Sequence, residues 1–236
     1  MAWAGLLDPF GAWDVAALAV LMVAWIGSSL LIEHPPRRRP STSNLMAGYR
    51  RLWMAEFITR DPRIFDSQIV GNLRQGTAFF ASASMIAIGG GFALLGNADL
   101  LRDAAQDLVQ EADPVIVWEI KLILMQVFAI NAFLKFVWSH RLFGYCAVLM
   151  AAVPNDPADP AARPRAAKAA EINITAAKGY NRGLRSVYFG IASAAWLAGA
   201  VPLIVTSLFT LAVILRREFT SASRAVLLED SDRAAS

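Results

Sequence analysis

Residues 114–153 read PVIVWEIKLILMQVFAINAFLKFVWSHRLFGYCAVLMAAV, and this stretch decides the fold. It contains no proline after Pro114 and no glycine before Gly144. A helix rises about 1.5 Å per residue and about twenty apolar residues cross a bilayer, so the stretch predicts a helix longer than a membrane span. Asp113 and Pro114 are a helix-start signal, because aspartate caps the first turn and proline suits the first helical position.

The composition of the whole chain is that of a membrane protein. Apolar residues make up 56% of its 236 residues and the mean hydropathy is +0.45, whereas a soluble domain usually contains about 45–50% apolar residues. The formal charge is only +3, and we expect no nucleic-acid partner. The single cysteine, Cys146, excludes an internal disulfide and any site that needs several cysteines.

Three further apolar stretches have the length of a membrane span. We interpret the first as a retained helix and not as a secretory signal peptide, because no lysine or arginine precedes it and no small-residue cleavage site follows it. The predicted fold is therefore all-α, an integral membrane four-helix bundle in a single domain, residues 1–219. Its predicted spans are residues 14–32, 75–95, 115–139 and 188–215. Residues 220–236 form a polar tail that we expect to be disordered.

The distribution of basic residues orients the spans. Residues 33–76 contain eight arginines and four acids, and residues 139–186 contain seven basic residues and three acids, whereas residues 96–113 contain one arginine and five acids. Basic loops usually stay in the cytoplasm, so the count predicts a multi-pass protein of a bacterial inner membrane with both termini outside. Four arginines after Leu215 argue for the opposite orientation. The predicted cytoplasmic segments are residues 33–74 and 140–187.

Two of the helices are expected to extend beyond the membrane. Asp61-Pro62 repeats the start signal described above, and apolar residues follow at helical spacing, which predicts one helix from about Pro62 to Leu95. The third helix continues to about Val153, and the alanine-rich residues before the fourth span also favour a helix. We expect these extensions to pack together as a cytoplasmic annex to the bundle.

Two segments connect these helices. Residues 44–60 predict a short helix with a basic side and an aromatic side. Such a helix either lies in the inner headgroup layer or covers the annex, and the sequence leaves both interpretations open. Residues 154–164 are a proline-rich connector.

Several polar residues interrupt the apolar part of the third helix. Polar groups at membrane depth cost free energy and usually face protein or water, so they are candidates for function. Helical geometry places Lys121 and Asn131 on one face together with Lys135, while Glu119 lies on another. A simpler interpretation for the lysines is that they reach water at the helix ends, which Asn131 is too short to do. The intramembrane candidates are Glu119, Lys121, Gln126 and Asn131.

Small residues spaced four apart let helices approach closely in lipid, where van der Waals packing replaces the hydrophobic effect. The second and fourth spans each contain such a series. Each series packs either within one chain or against a second copy in a homo-oligomer. The candidate packing residues are Ala83, Ala87, Gly91, Gly190, Ala194 and Ala198.

The sequence contains no recognisable catalytic constellation: no nucleophile with its base, no phosphate-binding glycine loop and no zinc-ligand spacing. His34 and His140, at the inner ends of two spans, could ligate a haem. Interfacial hydrogen bonding is the simpler role, because His34 precedes two prolines and His140 lies among basic residues. We therefore predict no cofactor, no metal site and no enzyme.

Three segments carry a family resemblance: LRQGTAFFASAS at residues 73–84, FLKFVWSHRLFGY at 133–145 and GYNRGLRSVYF at 179–189. Together they resemble the bacterial branch of the domain-of-unknown-function family DUF599. The resemblance implies a multi-span membrane protein and no established activity. Gly144 departs from the family pattern, in which asparagine is expected. The matching positions are Arg74, Phe79, Lys135, Trp138, Arg141, Tyr145, Asn181, Arg185 and Tyr188.

Many of these positions are basic and fall near the predicted inner membrane boundary on three helices. Such a cluster is stable only if acids, carbonyls or a bound anion compensate its charge, and Asp66 and Glu171 are the nearest candidate acids. Basic pockets on the cytoplasmic side commonly hold anionic lipid headgroups. The candidate anion-binding residues are Arg74, Lys135, Arg141, Asn181, Arg182 and Arg185.

We therefore predict a membrane protein that binds an anionic lipid headgroup and acts as an accessory or assembly subunit. One alternative is an oligomeric channel or transporter that uses the polar face of the third helix. A second alternative is a lipid-modifying enzyme. The competing explanation for the basic residues is an ordinary cytoplasmic charge excess spread over the surface.

Overall fold

The stretch quoted above forms one uninterrupted helix, Val115–Ala151. The computed structural model describes residues 9–36, 38–106 and 114–229, so the predicted cap residue Asp113 lies outside the described residues. Within these ranges the chain is helical and contains no strand, which confirms the all-α prediction. The helices are α1 (Ala12–Glu33), α2 (Thr42–Glu56), α3 (Ile64–Leu95), α4 (Ala98–Gln106), α5 (Val115–Ala151), α6 (Ala162–Ser193), α7 (Ala200–Phe219) and α8 (Ala222–Leu228).

In the described parts of the chain, four segments are long and apolar enough to cross a membrane, which gives the chain the character of a multi-span membrane protein. α3 and α5 are the two helices predicted to continue past the bilayer, and both are unbroken. α3 begins two residues after Pro62 and passes through Arg74 without interruption. The four candidate spans are Ala12–Glu33, Ile64–Leu95, Val115–Ala151 and Ala200–Leu228.

The predicted fourth span, residues 188–215, is wrong as a single helix. α6 ends at Ser193, a 3-10 helix covers Ala194–Ala198, and Gly199 has φ of 117°, a conformation that residues with a Cβ rarely adopt. α7 then begins at Ala200. Its Thr206 hydroxyl donates to the Ala192 carbonyl over 3.1 Å, so the first turns of α7 lie beside the last turns of α6.

The break also changes the expected effect of Pro202. We predicted a bend inside a long helix, but Pro202 lies in the first turn of α7. Backbone N–H groups in the first turn have no intrahelical acceptor, so proline costs the helix no hydrogen bond there. The predicted packing series at Gly190, Ala194 and Ala198 is not a helical stripe either, because its last two members belong to the 3-10 helix.

The C-terminal segment lies beside the loop after α1. The backbone N–H and the hydroxyl of Ser43 both donate to the Glu218 carboxylate at 3.0 Å, and the Arg224 guanidinium donates to the Pro40 carbonyl at 3.0 Å. The sequence placed residues 33–76 and the chain after Leu215 on opposite sides of the membrane, which these contacts show to be wrong. The tail is also helical over Ala222–Leu228 and not disordered there; residues 230–236 lie outside the described residues.

The chain divides into two compact units. Unit 1 comprises the described residues of Met1–Ser29, Ser82–Phe133 and Leu184–Ile214, and unit 2 those of Leu30–Ala81, Leu134–Gly183 and Leu215–Ser236. In unit 1, α5 approaches two other helices at glycines. A Cβ at Gly190 would lie 3.0 Å from Phe128, and a Cβ at Gly91 would overlap Gln126, whereas Ala83 and Ala87 are exposed.

Unit 2 has its own apolar core, to which α2 contributes. Met54 of α2 is 1% exposed and the following Phe57 is 2% exposed, so this helix packs on the predicted annex. α6 presents alanines at three- and four-residue spacing, which lets neighbouring helices approach its backbone. The buried core residues are Met54, Phe57, Ile58, Val70, Cys146, Met150, Val153, Ala162, Ala166, Ala169 and Ala170.

These contacts lead to a topology prediction. In a Cys146→Ala background, cysteines placed at Ala158 and Ser223 are expected to react with an impermeant reagent from the same side of the membrane, and a cysteine at Asn97 from the other side. All three positions are exposed, and the Arg224–Pro40 contact ties the tail to the loop after α1. Joint labelling of Ser223 and Asn97 would contradict this arrangement.

Candidate functional site

The six predicted anion-binding residues have separate surroundings. Arg185 belongs to unit 1, where it is 4% exposed and donates from Nε to the Ser29 hydroxyl at 2.9 Å. The other five belong to unit 2. Among these, Arg182 forms a two-point ion pair with Glu33, with 2.7 Å between Nε and Oε1. Both arginines thus join α6 to α1 through charge-assisted hydrogen bonds.

The remaining members of the set also have different neighbours. Arg141 is exposed and donates to the Tyr145 hydroxyl, four residues along α5. Asn181 donates from Nδ2 to the Ser43 hydroxyl at 3.3 Å. Lys135 is half-buried and Arg74 is exposed. The described hydrogen-bond partners of Arg141, Asn181, Arg182 and Arg185 are thus four different residues.

The acids expected to compensate this set are bound elsewhere. Asp66 is fully buried and accepts hydrogen bonds from Trp53 and Arg60. Glu171 pairs with Arg51 at 2.6 Å on the surface, and the guanidinium lowers the pKa of this carboxyl.

The intramembrane polar residues lie in unit 1 and contact neighbouring helices. Asn131 donates from Nδ2 to the Ser186 hydroxyl of α6 at 2.6 Å, and Gln126 is buried against Gly91 of α3. Lys121 is 5% exposed, with its ammonium 5.5 Å from the centre of the Trp118 ring, while Glu119 is half-buried. These contacts give Asn131 and Gln126 a role in helix packing.

The two histidines have unlike positions in unit 2. His34 is exposed just after α1. His140 of α5 lies against α3, with Nδ1 3.2 Å from the Arg74 carbonyl oxygen and 3.3 Å from the Thr77 hydroxyl. The Thr77 hydroxyl itself donates to the Arg74 carbonyl, so this group of atoms links the two helices.

A different set of polar residues meets at a cavity of about 390 Å³ in unit 2. We call it the α2–α6 cavity, because residues of α2 and α6 form most of its wall; α3, α5 and the end of α7 complete it. Its lining includes the apolar and aromatic side chains Met46, Leu73, Phe143, Ile174 and Tyr180. The polar part includes Ser43, Arg50, Asn72, Lys178, Asn181 and Glu218.

The start of α2 fixes one end of this cavity. Ser41 caps the helix by accepting the Asn44 backbone N–H at 3.2 Å. The Glu218 carboxylate accepts the N–H and the hydroxyl of Ser43, in the first turn, where the helix dipole favours a negative charge. Glu218, the one acid among the described residues that line the cavity, is therefore already held by α2.

Arg50 lies two turns further along α2 on the same wall. Its guanidinium donates to the side-chain oxygen of Asn173, a neutral and fully buried amide whose Nδ2 lies 3.5 Å from the Cys146 sulfur. Within residues 9–36, 38–106 and 114–229, no carboxylate forms an ion pair with Arg50. Burial lowers the pKa of Arg50, which means that desolvation of its charge is not offset by its present partners.

A family comparison can be set beside this geometry. The family model described as "Protein of unknown function, DUF599" matches residues 16–223. The chain belongs to this family. No curated protein and no solved structure matched the chain. The DUF599 region includes every residue that lines the α2–α6 cavity, so the cavity is part of the family domain.

The lining of this DUF599 cavity is amphipathic and carries more basic than acidic side chains. Arg50 and Lys178 bring two positive charges against one carboxylate, Glu218, and hydroxyl and amide groups stand beside them. Sequence reasoning found Asn181 but missed Arg50 and Lys178. The available signal was spacing: Ser43, Ala47 and Arg50 share one face of α2, and Lys178 and Asn181 share one face of α6.

Proposed function

We propose that this DUF599 protein binds the headgroup of an anionic lipid in the α2–α6 cavity, on the cytoplasmic side of a bacterial inner membrane, and acts as an accessory or assembly subunit. Arg50 is the observation that carries the proposal. A desolvated guanidinium without a carboxylate partner lines an open cavity, and an anion bound there would compensate its charge.

The donors of the cavity suit a phosphate group. Arginine offers a planar fork of N–H groups that matches phosphate oxygens, and Lys178 adds a second positive charge. Asn181 already donates to Ser43 and has a second amide hydrogen for a ligand. Basic pockets between helices on the cytoplasmic side are a usual way to hold anionic headgroups.

The apolar part of the cavity favours a lipid over a small inorganic ion. Met46, Leu73 and Phe143 would contact the glycerol and the first methylenes of an acyl chain. A volume of about 390 Å³ is near the lower end of the range for small-molecule pockets, about 300–1,000 Å³, so it suits a headgroup and not two whole acyl chains. The proposal therefore has the chains leave the cavity for the bilayer.

A test compares neighbouring arginines of α2. Arg50→Gln is expected to weaken retention of phosphatidylglycerol about tenfold, because hydrogen bonds to charged groups contribute about 1.5–3 kcal/mol. Arg51→Gln removes the same charge from the same helix, but Arg51 is exposed and pairs with Glu171. It is expected to leave retention unchanged. Native mass spectrometry of protein purified in mild detergent would count the bound lipids, with phosphatidylethanolamine as the zwitterionic comparison.

A second variant tests whether binding needs the space in the α2–α6 cavity, without removing a charge. Gly76 lines the cavity on α3, and a Cβ there would have no atom within 4 Å. Gly76→Leu should fill part of the cavity without removing a charge, and it is expected to reduce retention as Arg50→Gln does. If Arg50→Gln, Arg51→Gln and Gly76→Leu all retain the same amount of phosphatidylglycerol, the basic residues are ordinary surface charge and the proposal is wrong.

A further inference from the structure

A second cavity, of about 340 Å³, lies in unit 2 between α3 and α5. We call it the α3–α5 cavity. Its polar lining consists of Arg63, Ser67, Arg74 and Asn155, and its apolar lining includes Phe57, Val70 and Met150. Of the described residues that line it, none is an aspartate or a glutamate. The two arginines therefore give the cavity wall a double positive charge.

Arg63 is held in a fixed position without being neutralised. Its guanidinium donates to the carbonyls of Val153 and Pro154 at 2.8 Å and of Ile58 at 3.1 Å, and it lies 4.5 Å from the centre of the Phe57 ring. These three bonds use three of the five N–H groups of a guanidinium, which leaves two for a ligand. Carbonyl oxygens orient the group but carry no net charge.

Arg74 completes the cavity from the same face of α3. Arg63 directly precedes α3, and the Ser67 N–H donates to its carbonyl at 3.2 Å, so the helical register extends back to it. Spacings of four and seven residues then place Arg63, Ser67 and Arg74 on one side of the helix. The Arg74 side chain is exposed and has no described partner. Its own helix offers Asp66, but that carboxylate is buried and bound by Trp53 and Arg60. Neither Arg63 nor Arg74 forms an ion pair within the described parts of the chain.

The spacing of the arginines indicates the shape of a ligand. Eleven residues at about 1.5 Å each separate their Cα atoms by roughly 16 Å along α3. Even if both arginine side chains extend toward each other, a single anionic group contacts both guanidiniums only with difficulty. In a ligand with two linked anionic groups, each group can contact one guanidinium. Arg74 can bind a phosphate bidentately, whereas the two N–H groups left on Arg63, one on Nε and one on Nη1, each donate a single hydrogen bond.

We propose that the α3–α5 cavity is a second anion site, which binds a ligand carrying two linked phosphate groups. Two sources have this chemistry: a lipid with two phosphates, such as cardiolipin, and a soluble diphosphate. The site is built from other residues than the α2–α6 cavity, so it does not depend on the function proposed for that cavity.

The test uses two variants of α3 with matched controls. Arg74→Gln removes one guanidinium, and Gly71→Leu fills the cavity, since Gly71 lines it and a Cβ there would have no atom within 4 Å. Arg216→Gln removes an exposed arginine that lines neither cavity. Gly76→Leu fills the α2–α6 cavity from the same helix. Circular dichroism and thermal unfolding would establish that each variant is folded.

Two readouts distinguish the sources of the ligand. Native mass spectrometry would measure retained cardiolipin against phosphatidylglycerol, and thermal unfolding with inorganic pyrophosphate would measure the shift in Tm. A fivefold or greater loss of cardiolipin in Arg74→Gln and Gly71→Leu, with Arg216→Gln and Gly76→Leu unchanged, supports the site with a lipid ligand. A pyrophosphate-induced Tm increase that disappears in the same two variants supports it with a soluble ligand. If Arg74→Gln and Gly71→Leu alter neither cardiolipin retention nor the pyrophosphate-induced Tm shift, or if Arg216→Gln alters them equally, the proposed site is wrong.

Discussion

Replacing Asp66 by alanine is expected to lower the free energy of unfolding by about 2–3 kcal/mol, because it removes the acceptor of a buried hydrogen bond and the carboxylate partner of Arg60, whose side chain is 35% exposed. The Asp66 carboxylate is fully buried and accepts the Trp53 indole N–H at 2.6 Å as well as a hydrogen bond from Arg60. Alanine would leave the Trp53 N–H without its acceptor at this α2–α3 contact and would leave Arg60 to water. Thermal unfolding in mild detergent should show a decrease in Tm of roughly 4–12 °C.

Glu171→Ala is the matched control, because it also removes a carboxylate from a pair with an arginine. The Arg51–Glu171 pair is more than half exposed on both sides, and exposed pairs typically contribute about 0–1 kcal/mol. Its Tm is therefore expected to change little. If Asp66→Ala were no more harmful than Glu171→Ala, the desolvation cost of the buried pair would nearly cancel its attraction, and the α2–α3 contact would depend on apolar packing instead.

The sequence was most informative where a helix is long and locally uninterrupted. α3 and α5 could be predicted almost to their ends, because the signals lie within each segment: a proline near the start, apolar residues at helical spacing and no later proline. The break between α6 and α7 was missed, since apolar composition is the same for one long helix and for two helices that reverse. Gly199 followed by Pro202 was the local signal for an end and a new start.

The candidate site was harder to predict for a related reason. Arg182 and Arg185 share a face of α6 with Lys178 and Asn181, yet that face meets Ser43 of α2 at Asn181 and Glu33 of α1 at Arg182. Which neighbour a residue meets depends on where α1 ends and α2 turns back. Depth relative to the membrane, the property by which the six residues were chosen, carries no information about that pairing.

Among substitutions that enlarge a side chain, the largest loss of stability is expected at Gly183 of α6. A Cβ at this position would lie 2.6 Å from one carbon of the Phe136 ring and 2.9 Å from two others. The ring is fully buried and packs on Phe80, with 5.3 Å between ring centres, and on Tyr180, at 5.6 Å, so it has little room to move. Gly183→Leu is therefore expected to destabilise the protein by about 3 kcal/mol, near the upper end of the usual cost of overpacking.

Gly144→Leu in α5 provides the control, because a Cβ at Gly144 would have no atom within 4 Å. Leucine forms helices better than glycine by up to about 1 kcal/mol, so this variant is expected to keep or raise the Tm. The clash also predicts a rescue: Phe136→Leu should cost less in the Gly183→Ala background than alone, since a smaller side chain makes room for the new methyl group. Additive effects in that double mutant, or equal Tm values for Gly183→Leu and Gly144→Leu, would show that α6 does not approach Phe136 as closely as this contact requires.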